Sequence, residues 1–440
     1  MELLLESVQA KRKVSTEILN GVPFEDRHLL AWHLDMLTKD EVEAILEAQE
    51  STSNVMGHKI KLRVDTNQIS ANEPNEDYMS WGAIQPTKEN PSLYMFGLYD
   101  GHVGRWCAEQ VAARIGPMLD TSLEIIDQMA NSIAVSKTTS DNSSLQAIIS
   151  RLQHEEGLNW DHMSLALTAT FLSLDHELVF GALAKYRKLQ DITKMEELLG
   201  PALSGSCGIV AVVDTKANEV VVANAGDSRA ILGVRLNDGS WKAVRLSEDQ
   251  TCTNENELMR LSSEHPGETS SIIVNGRVFG GMVVTRAFGD CKYKWPVEVQ
   301  NEIFPSMYSQ GYIRAETSPA CLTPPYVTAK PELVRHKLDE NDKFIVVASD
   351  GIYDRLLDKE VVETVAQWYE TNQEKSETKV TQDKNAATHL IRSALEVDML
   401  NMSEYKNTTI RKLLAIPSPQ SRRYYDDLSV TVISFDRDQQ

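Results

Sequence analysis

The sequence has little cysteine and no long apolar run. Its five cysteines are spread over 440 residues and form no Cys-x-x-Cys pair, which argues against a thiolate zinc site and against a disulfide framework. We therefore expect a chain that folds in a reducing compartment. No apolar run reaches the roughly 18 residues that a membrane-spanning helix needs, so we expect no transmembrane segment.

The chain is also poor in positive charge. Lysine and arginine together number 44 against 64 aspartates and glutamates, which gives a formal net charge of −20. Such a chain repels a phosphate backbone, and the short basic run at residues 11–13 is typical of a solvated helix face. We therefore expect no nucleic-acid partner. The first residues match neither a signal nor a transit peptide, which leaves open a cytoplasmic protein or one whose targeting segment was removed.

The apolar pattern changes near residue 60. Residues 1–59 predict a helical N-terminal extension, with the clearest signal at Thr38–Glu41, a capping box ahead of apolar residues at helical spacing. Over residues 60–440, short β-rich runs alternate with helices and hairpins, which indicates an α+β fold of packed antiparallel sheets flanked by helices. The segments near 121–157 and 296–326 predict irregular insertions, the first of them partly mobile.

Individual elements follow from the same pattern. We expect strands near 79–84, 93–99, 209–213, 220–223, 344–348 and 430–435, with the third and fourth paired as a hairpin. We expect helices over 162–179 and 359–370, and a further helix that carries Val103, Cys107, Val111 and Ile115 on one buried face.

Carboxylates stand beside four of the predicted strands. They are Glu76-Asp77, Asp100, Asp350 and Asp426-Asp427. If the strands lie side by side, their ends gather these groups in one cleft, where they repel one another unless a divalent cation is bound. Oxygen ligands without a histidine or cysteine cluster favour Mg²⁺ or Mn²⁺ over zinc. Each Asp-Gly pair taken alone is also a common turn.

Six motifs stand in a fixed order along the chain: Tyr99–Gly104, Ser204–Ser206, Ala225–Ala230, Thr285–Asp290, Ala348–Gly351 and Asp426–Val430. This is the order found in the metal-dependent PPM (PP2C-like) protein phosphatases, and residues 60–436 resemble that family. Four further stretches are Asn72–Asp77, the run Ala225–Gly233 with a long hairpin to Trp241, Glu264–Pro266, and Ala287–Asp290 leading to Lys294-Trp295. In these the chain most resembles the branch of mitochondrial pyruvate dehydrogenase phosphatases and their fungal relatives.

The resemblance implies an αββα sandwich and a protein serine/threonine phosphatase. Such an enzyme hydrolyses phosphoserine by attack of a water that bridges two Mg²⁺ or Mn²⁺ ions. The branch implies a phosphoprotein substrate in the pyruvate dehydrogenase complex and a place in the mitochondrial matrix. Two alternatives are a general phosphatase with other substrates, cytoplasmic or mitochondrial, and a non-catalytic pseudophosphatase scaffold. Retention of the family's acidic ligands argues against the scaffold.

The resemblance also implies roles for the acidic residues. Asp100 would bridge the two metal ions. Glu76 and the carbonyl of Gly101 would bind one ion, and Asp350 and Asp426 would bind the other.

Three further residues complete the expected site. Asp77 would act on a metal ion through bound water. Asp227, together with Asp350, fits the position of a weaker third metal ion, although a turn-stabilising role is equally open. His102 would be the general acid that protonates the departing serine or threonine oxygen, a contribution of about 10²–10⁴-fold in rate.

One departure from the family concerns the substrate phosphate. The wider family usually has an arginine four residues before the metal-binding Glu76, whereas this chain has Asn72, which offers no charged fork to a phosphate. Arg105 is a candidate substitute. Arg229 and Arg286 could also be phosphate ligands, but structural ion pairs are the favoured interpretation of both.

Overall fold

A computed structural model describes residues 1–21, 34–85, 91–130, 143–154, 160–189, 191–309, 317–373, 383–397 and 410–436. No helix within these ranges is both long enough and apolar enough to cross a membrane.

The strands form where β-branched and aromatic residues are concentrated. An example is Gly208–Asp214, which is buried over six of its seven residues. In chain order the strands are β1 Ser51–Met56, β2 Lys61–Ile69, β3 Tyr78–Ile84, β4 Leu93–Tyr99, β5 Gly101–His102, β6 Gly205–Ser206, β7 Gly208–Asp214, β8 Glu219–Ala225, β9 Arg229–Arg235, β10 Trp241–Arg245, β11 Ile273–Val274, β12 Arg277–Val278, β13 Phe288–Gly289, β14 Glu332–Lys337, β15 Asp342–Ala348 and β16 Leu428–Asp436.

The helices alternate with these strands, and several begin at a polar cap. The side chain of Thr38 accepts a hydrogen bond from the backbone N–H of Glu41, and the backbone N–H of Thr38 donates to Oε2 of Glu41, which is the capping box predicted from the sequence. In chain order the helices are α1 Glu2–Asn20, α2 Lys39–Glu47, α3 Trp106–Ala130, α4 Ser143–Gln153, α5 His162–His176, α6 Ala182–Leu189, α7 Met195–Leu203, α8 Glu255–Glu264, α9 Thr269–Ile272, α10 Val297–Ser309, α11 Asp350–Tyr353, α12 Asp358–Gln373, α13 Ala386–Glu396 and α14 Ile410–Leu413.

Two antiparallel sheets face each other across an apolar core. The first sheet has the strand order β1-β2-β16-β15-β9-β10 and the second β14-β8-β7-β4-β3. Side chains from both sheets meet between them, among them Leu62 and Ile345 from the first sheet and Phe96 and Ile209 from the second. Because β4, β8, β15 and β16 belong to this sandwich, the loops at their ends can converge on one edge of it.

Helices cover the outer face of each sheet. Val365 of α12 and Leu390 of α13 pack with Val346 on the first sheet. Val111 of α3 and Phe171 of α5 pack with Val210 on the second sheet. These four layers confirm the expected αββα sandwich of antiparallel sheets flanked by helices.

All six predicted strands are present, and so are the two helices predicted over 162–179 and 359–370. The N-terminal region, however, is not entirely helical. Residues 51–56 form β1, which pairs with β2 at the edge of the first sheet. The strand was missed because its sequence, STSNVM, has only one clearly apolar position in its interior and its side chains are mostly exposed. Its stability comes from backbone hydrogen bonds to β2, and sequence periodicity does not report those.

Three further expectations need correction. Val103 lies before α3 rather than on it, with a positive φ of 59° and a side chain that is 73% exposed. Within the segment 121–157, α3 extends to Ala130 and residues 143–153 form α4, while residues 131–142 and 155–157 lie outside the described ranges. Within 296–326, residues 297–309 form α10 despite Pro305 in its interior. Apolar contacts outweigh local composition in both segments.

Arg229 and Arg286 are held in ion pairs within the fold. Arg229 pairs with Asp249 and Asp358 and is 12% exposed. Arg286 pairs with Glu257, with Nη2 2.6 Å from Oε1. These contacts agree with the structural interpretation of both arginines, since their guanidinium groups already bind carboxylates.

The Glu257 cluster makes stability depend on acid pH. Burial alone would raise the pKa of Glu257, but hydrogen bonds from Arg286 and Arg260 lower it to about 2. The folded state therefore favours the charged form. The stabilisation, about 3 kcal/mol from the size of that shift, is present above pH 4.5 and is lost as the pH falls towards 2.

We expect Glu257→Gln to destabilise the fold by about 3–5 kcal/mol at neutral pH, because two arginines lose a buried partner. Thermal unfolding should be measured between pH 2 and 7. Between pH 4.5 and 2 the melting temperature of the variant should fall less than that of the wild type. Glu264→Gln is the matched control, since Glu264 also pairs with Arg260 but is 48% exposed and should cost less than about 1 kcal/mol. Equal melting temperatures for wild type and Glu257→Gln would contradict this account.

Candidate metal centre

Three carboxylates converge at one edge of the sandwich. Asp100 follows β4, Asp227 lies between β8 and β9, and Asp350 follows β15 at the start of α11. Each offers one oxygen such that the three oxygens lie within 4.8 Å of one another. Asp227 lies more than a hundred positions from Asp100 and from Asp350 in the sequence. The arrangement of the strands therefore brings the three residues together.

Burial and mutual repulsion disfavour the charged state of this cluster. The pKa of Asp100 is raised well above its ordinary value by burial and by the charges of Asp77 and Asp350. Burial also raises the pKa of Asp350, to about 7, with Asp227 adding to the effect. Burial together with Asp350 raises the pKa of Asp426 to about 7. A cation among these groups would reverse the penalty.

Glu76 and Asp77 lie beside the cluster. Asp77 is 4% exposed and its Oδ2 has no hydrogen-bond partner, while the N–H of Gly104 donates to Oε1 of Glu76 at 2.6 Å. Gly101 must be glycine, since a Cβ there would lie 2.3 Å from the carbonyl oxygen of Glu76. Gly101 also lines the cavity onto which Asp100 opens.

A cavity of about 630 Å³ opens onto the carboxylates. Asp426 lines it together with the three clustered aspartates, and His102 lines it beside them. Part of its wall is apolar and includes the half-exposed side chain of Trp106 and the side chain of Phe304. The cavity therefore joins an anionic floor to an apolar wall, which suits a charged group carried on a larger chain.

His102 is held by an aspartate that the sequence analysis did not assign a role. Its Nε2 lies 2.8 Å from Oδ2 of Asp290. Burial would lower the pKa of His102, but the charge of Asp290 and the hydrogen bond to it raise the pKa above its ordinary value. Gly205 makes room for this pair, because a Cβ there would lie 2.1 Å from the His102 ring.

The structure does not bring Asn72 or Arg105 to the cavity. The side chain of Asn72 donates to Asp427 at 3.0 Å and lines a separate cavity beside α1. Arg105 lies just before α3, with Nε 3.9 Å from Oε2 of Glu109, and lines a different cavity together with Asn75 and Tyr78. Asp427 also accepts backbone hydrogen bonds from Asn72 and Glu76, at 2.9 and 3.0 Å. Asn72 therefore helps Asp427 to fix the loop that carries Glu76.

Two further residues at the cavity were missed. Cys207 donates from Sγ to Oδ1 of Asp227 at 3.2 Å, so Asp227 has one neutral partner and faces the other aspartates. Arg422 forms an ion pair with Asp426, four residues later. The i, i+4 spacing of Arg422 and Asp426 was the signal available in the sequence, but it did not show that both side chains line the cavity.

The donor set fits a hard divalent cation. It consists of carboxylate oxygens, and Oδ2 of the buried Asp77 nearby has no hydrogen-bond partner. Mg²⁺ and Mn²⁺ prefer such oxygen ligands. The pKa values of Asp350 and Asp426 are raised because these carboxylates are buried and are repelled by neighbouring carboxylates when no cation lies between them.

Comparison with known proteins agrees with this site. Residues 158–401 match the sequence profile of the family described as Protein phosphatase 2C. A protein phosphatase 2C homolog of Schizosaccharomyces pombe is 33% identical over 398 residues, covering 85% of this chain and 80% of that protein. The mitochondrial pyruvate dehydrogenase (acetyl-transferring) phosphatase 2 of Homo sapiens is 31% identical over 458 residues, covering 92% and 84%.

A solved structure shares the architecture. The crystal structure of serine-threonine phosphatase 2C from Toxoplasma gondii superposes with a TM-score of 0.51 at 17% identity, over 88% of this chain and 99% of that chain. At this identity the likeness concerns the fold alone. The sequence relatives and the profile match establish more: the chain belongs to the protein phosphatase 2C family of protein serine/threonine phosphatases.

Proposed function

We propose that this chain is a Mg²⁺- or Mn²⁺-dependent phosphatase that hydrolyses phosphoserine in a protein substrate, with two cations held at the carboxylate cluster. The observation that carries the proposal is the approach of Asp100, Asp227 and Asp350 to within 4.8 Å of one another at the floor of an open cavity. Buried anions at this spacing need cations.

The proposed ligands divide into two groups. Asp100 would contact both cations, with Glu76 and the Gly101 carbonyl on one side and Asp350 and Asp426 on the other. Asp77 would act through water, since its free Oδ2 needs a partner, and Asp227 would serve a weaker third cation. When bound, the cations supply Lewis acidity, activation of water at neutral pH and neutralisation of the phosphoryl charge.

The chain itself supplies the proton for the leaving oxygen. His102 lines the cavity, and Asp290 fixes its ring and favours its protonated form. A serine or threonine alkoxide is a poor leaving group, so a donor within reach lowers the barrier of the step. Asp290 therefore acts as a positioning residue for His102.

We further propose a substrate in the pyruvate dehydrogenase complex and a location in the mitochondrial matrix. The support is the similarity of this chain to mitochondrial pyruvate dehydrogenase phosphatases of Homo sapiens and Saccharomyces cerevisiae, each matched over at least 91% of this chain. The alternative is a phosphatase of the same chemistry with other substrates, in the same or another compartment.

Release of phosphate from a phosphoserine peptide should require Mg²⁺ or Mn²⁺. We expect activity to disappear when the metal is chelated with EDTA and to return when either cation is added in excess, because the clustered carboxylates would bind the cations that activate the water. Phosphate release measured at a series of metal concentrations checks this. A folded chain that releases no phosphate at any metal concentration would support the non-catalytic scaffold instead.

The substrate is tested separately. Phosphorylated pyruvate dehydrogenase and a generic phosphoserine peptide would be compared by their kcat/KM at saturating Mg²⁺. We expect the dehydrogenase to be the better substrate. Equal values would contradict the specific substrate and leave the phosphatase chemistry intact.

A further inference from the structure

Three cationic side chains in the described part of the chain line the cavity: Arg277, Lys292 and Arg422. They differ in what they contact. Nη1 of Arg277 donates to the carbonyl of Gly281 at 3.0 Å, within its own hairpin. Lys292 lies over the ring of Tyr293, with Nζ 5.7 Å from the centroid, and burial lowers its pKa. Only Arg422 of these three forms an ion pair with one of the cavity's aspartates.

Arg422 is placed by the chain at the edge of the carboxylate cluster. It lies in the single helical turn Ser421–Arg423, immediately before the β16 loop that carries Asp426. Its positive charge opposes the effect of burial on the pKa of Asp350 and of Asp426. The side chain is 49% exposed, so it can turn between Asp426 and a group in the cavity without losing a buried contact.

We propose that Arg422 binds the phosphoryl group of the substrate, in place of the arginine that this chain lacks at Asn72. The inference rests on the proposed function of the same site. A guanidinium group offers two parallel N–H donors that match two phosphoryl oxygens, which an amide or ammonium group cannot do.

The geometry allows this contact while Asp426 keeps its other role. A carboxylate has about four lone-pair sites, so Asp426 can bind a cation through one oxygen and retain Arg422 near the other. Asn72 and Arg105 do not line this cavity, because Asn72 bonds to Asp427 and Arg105 lines a different cavity just before α3.

A purely structural role predicts a different outcome. If Arg422 only offsets the negative charge of the cluster, its removal would change the affinity for Mn²⁺ and leave the affinity for phosphate unaltered. If it binds the phosphoryl group, its removal would weaken phosphate binding at saturating Mn²⁺. In that case Mn²⁺ would bind as tightly as before or more tightly, because a repelling cation has gone.

The test is calorimetric binding of inorganic phosphate to the full chain saturated with Mn²⁺. For Arg422→Ala we expect the Kd of phosphate to rise by about 10- to 100-fold, the usual loss for hydrogen bonds to a charged group. Arg422→Lys should fall between this variant and the wild type. The KM for a phosphoserine peptide should rise in parallel with the Kd.

Two control variants make the result specific. Arg423→Ala removes the same charge from the next residue, which does not line the cavity, and should bind phosphate like the wild type. Arg105→Ala tests the candidate that the sequence favoured. An unchanged Kd in Arg422→Ala, an equal rise in Arg423→Ala, or a rise in Arg105→Ala alone would each overturn the inference.

The outcomes also separate this inference from the proposed function. A wild-type chain that binds phosphate through Arg422 but never releases phosphate from a peptide would refute the phosphatase proposal and support the role of Arg422. A wild-type chain that turns over the peptide with no dependence on Arg422 would refute the role of Arg422 and support the phosphatase.

Discussion

Replacing Asp100 by asparagine is expected to leave a folded protein whose phosphatase activity is lower by about 10³-fold or more, the scale of losing a central electrostatic group in an active site. Asp100 contributes an oxygen to the three-carboxylate cluster, and burial and neighbouring acids raise its pKa. The asparagine keeps the shape of the side chain and removes the charge that would hold the cations.

The same substitution should stabilise the metal-free fold. The buried charge of Asp100 is repelled by Asp77 and Asp350, so its removal relieves repulsion that the folded state alone contains. We therefore expect a higher melting temperature in EDTA than for the wild type, together with the lost activity. A substitution that raises the stability of the metal-free fold while it lowers activity is expected where a buried charge serves function.

Thermal unfolding in EDTA and steady-state kinetics in Mn²⁺ check both parts of this prediction. Asp238→Asn is a matched control, since Asp238 lies exposed in the turn between β9 and β10 and should leave activity unchanged. Wild-type turnover by Asp100→Asn would refute the assignment of Asp100 to the cations.

The second prediction with a large effect concerns the leaving group. We expect His102→Asn to lower kcat for a phosphoserine peptide by about 10²–10⁴-fold, because the serine oxygen then departs without a proton from the enzyme. With p-nitrophenyl phosphate the loss should be small, since p-nitrophenolate is a stable anion. Asp290→Asn should show the same dependence on the leaving group to a lesser degree, because Asp290 acts through His102.

Steady-state kinetics with the two substrates give the answer directly. Circular dichroism and Mn²⁺ titration of His102→Asn would show that the fold and the cation sites are retained. An equal loss with both substrates would mean that His102 serves the cations or the fold rather than the departing oxygen.

The sandwich was predictable because its strands are continuous apolar runs. Ile209–Val213 and Phe344–Ala348 are buried on both faces, so composition and length alone marked them. The edge strand β1 was not predictable in this way. Its exposed side chains carry no periodic signal, and its partner β2 supplies the hydrogen bonds that hold it.

The site was predictable to the extent that it depends on strand ends. Asp100 and Asp350 follow buried strands directly, and Asp426 precedes one, so a sandwich of those strands brings them to one edge. Residues whose role comes from contacts between distant segments were not found. Asp290 contacts His102 across 188 positions, and no local pattern marks either partner for the other.

The candidate phosphate ligand was also not predictable from the local sequence. Arg105 was a candidate phosphate ligand in the sequence, but it lies just before α3 with its side chain beside Glu109 and is not among the residues that line the cavity. Arg422 is more than 300 positions away from His102 and lines the same cavity. Of the two arginines, Arg422 is the one that lines the cavity, and no local pattern in the sequence places it there.

Calorimetric titration of Mn²⁺ into the metal-free chain tests the central claim most directly. We predict two ions per wild-type chain, as in a two-cation site. We predict their loss in Asp100→Asn and in Asp350→Asn, while Asp238→Asn binds as the wild type does. A folded wild-type chain that binds no Mn²⁺, or variants of Asp100 and Asp350 that bind it unchanged, would show that the carboxylates at this edge of the sandwich do not hold cations.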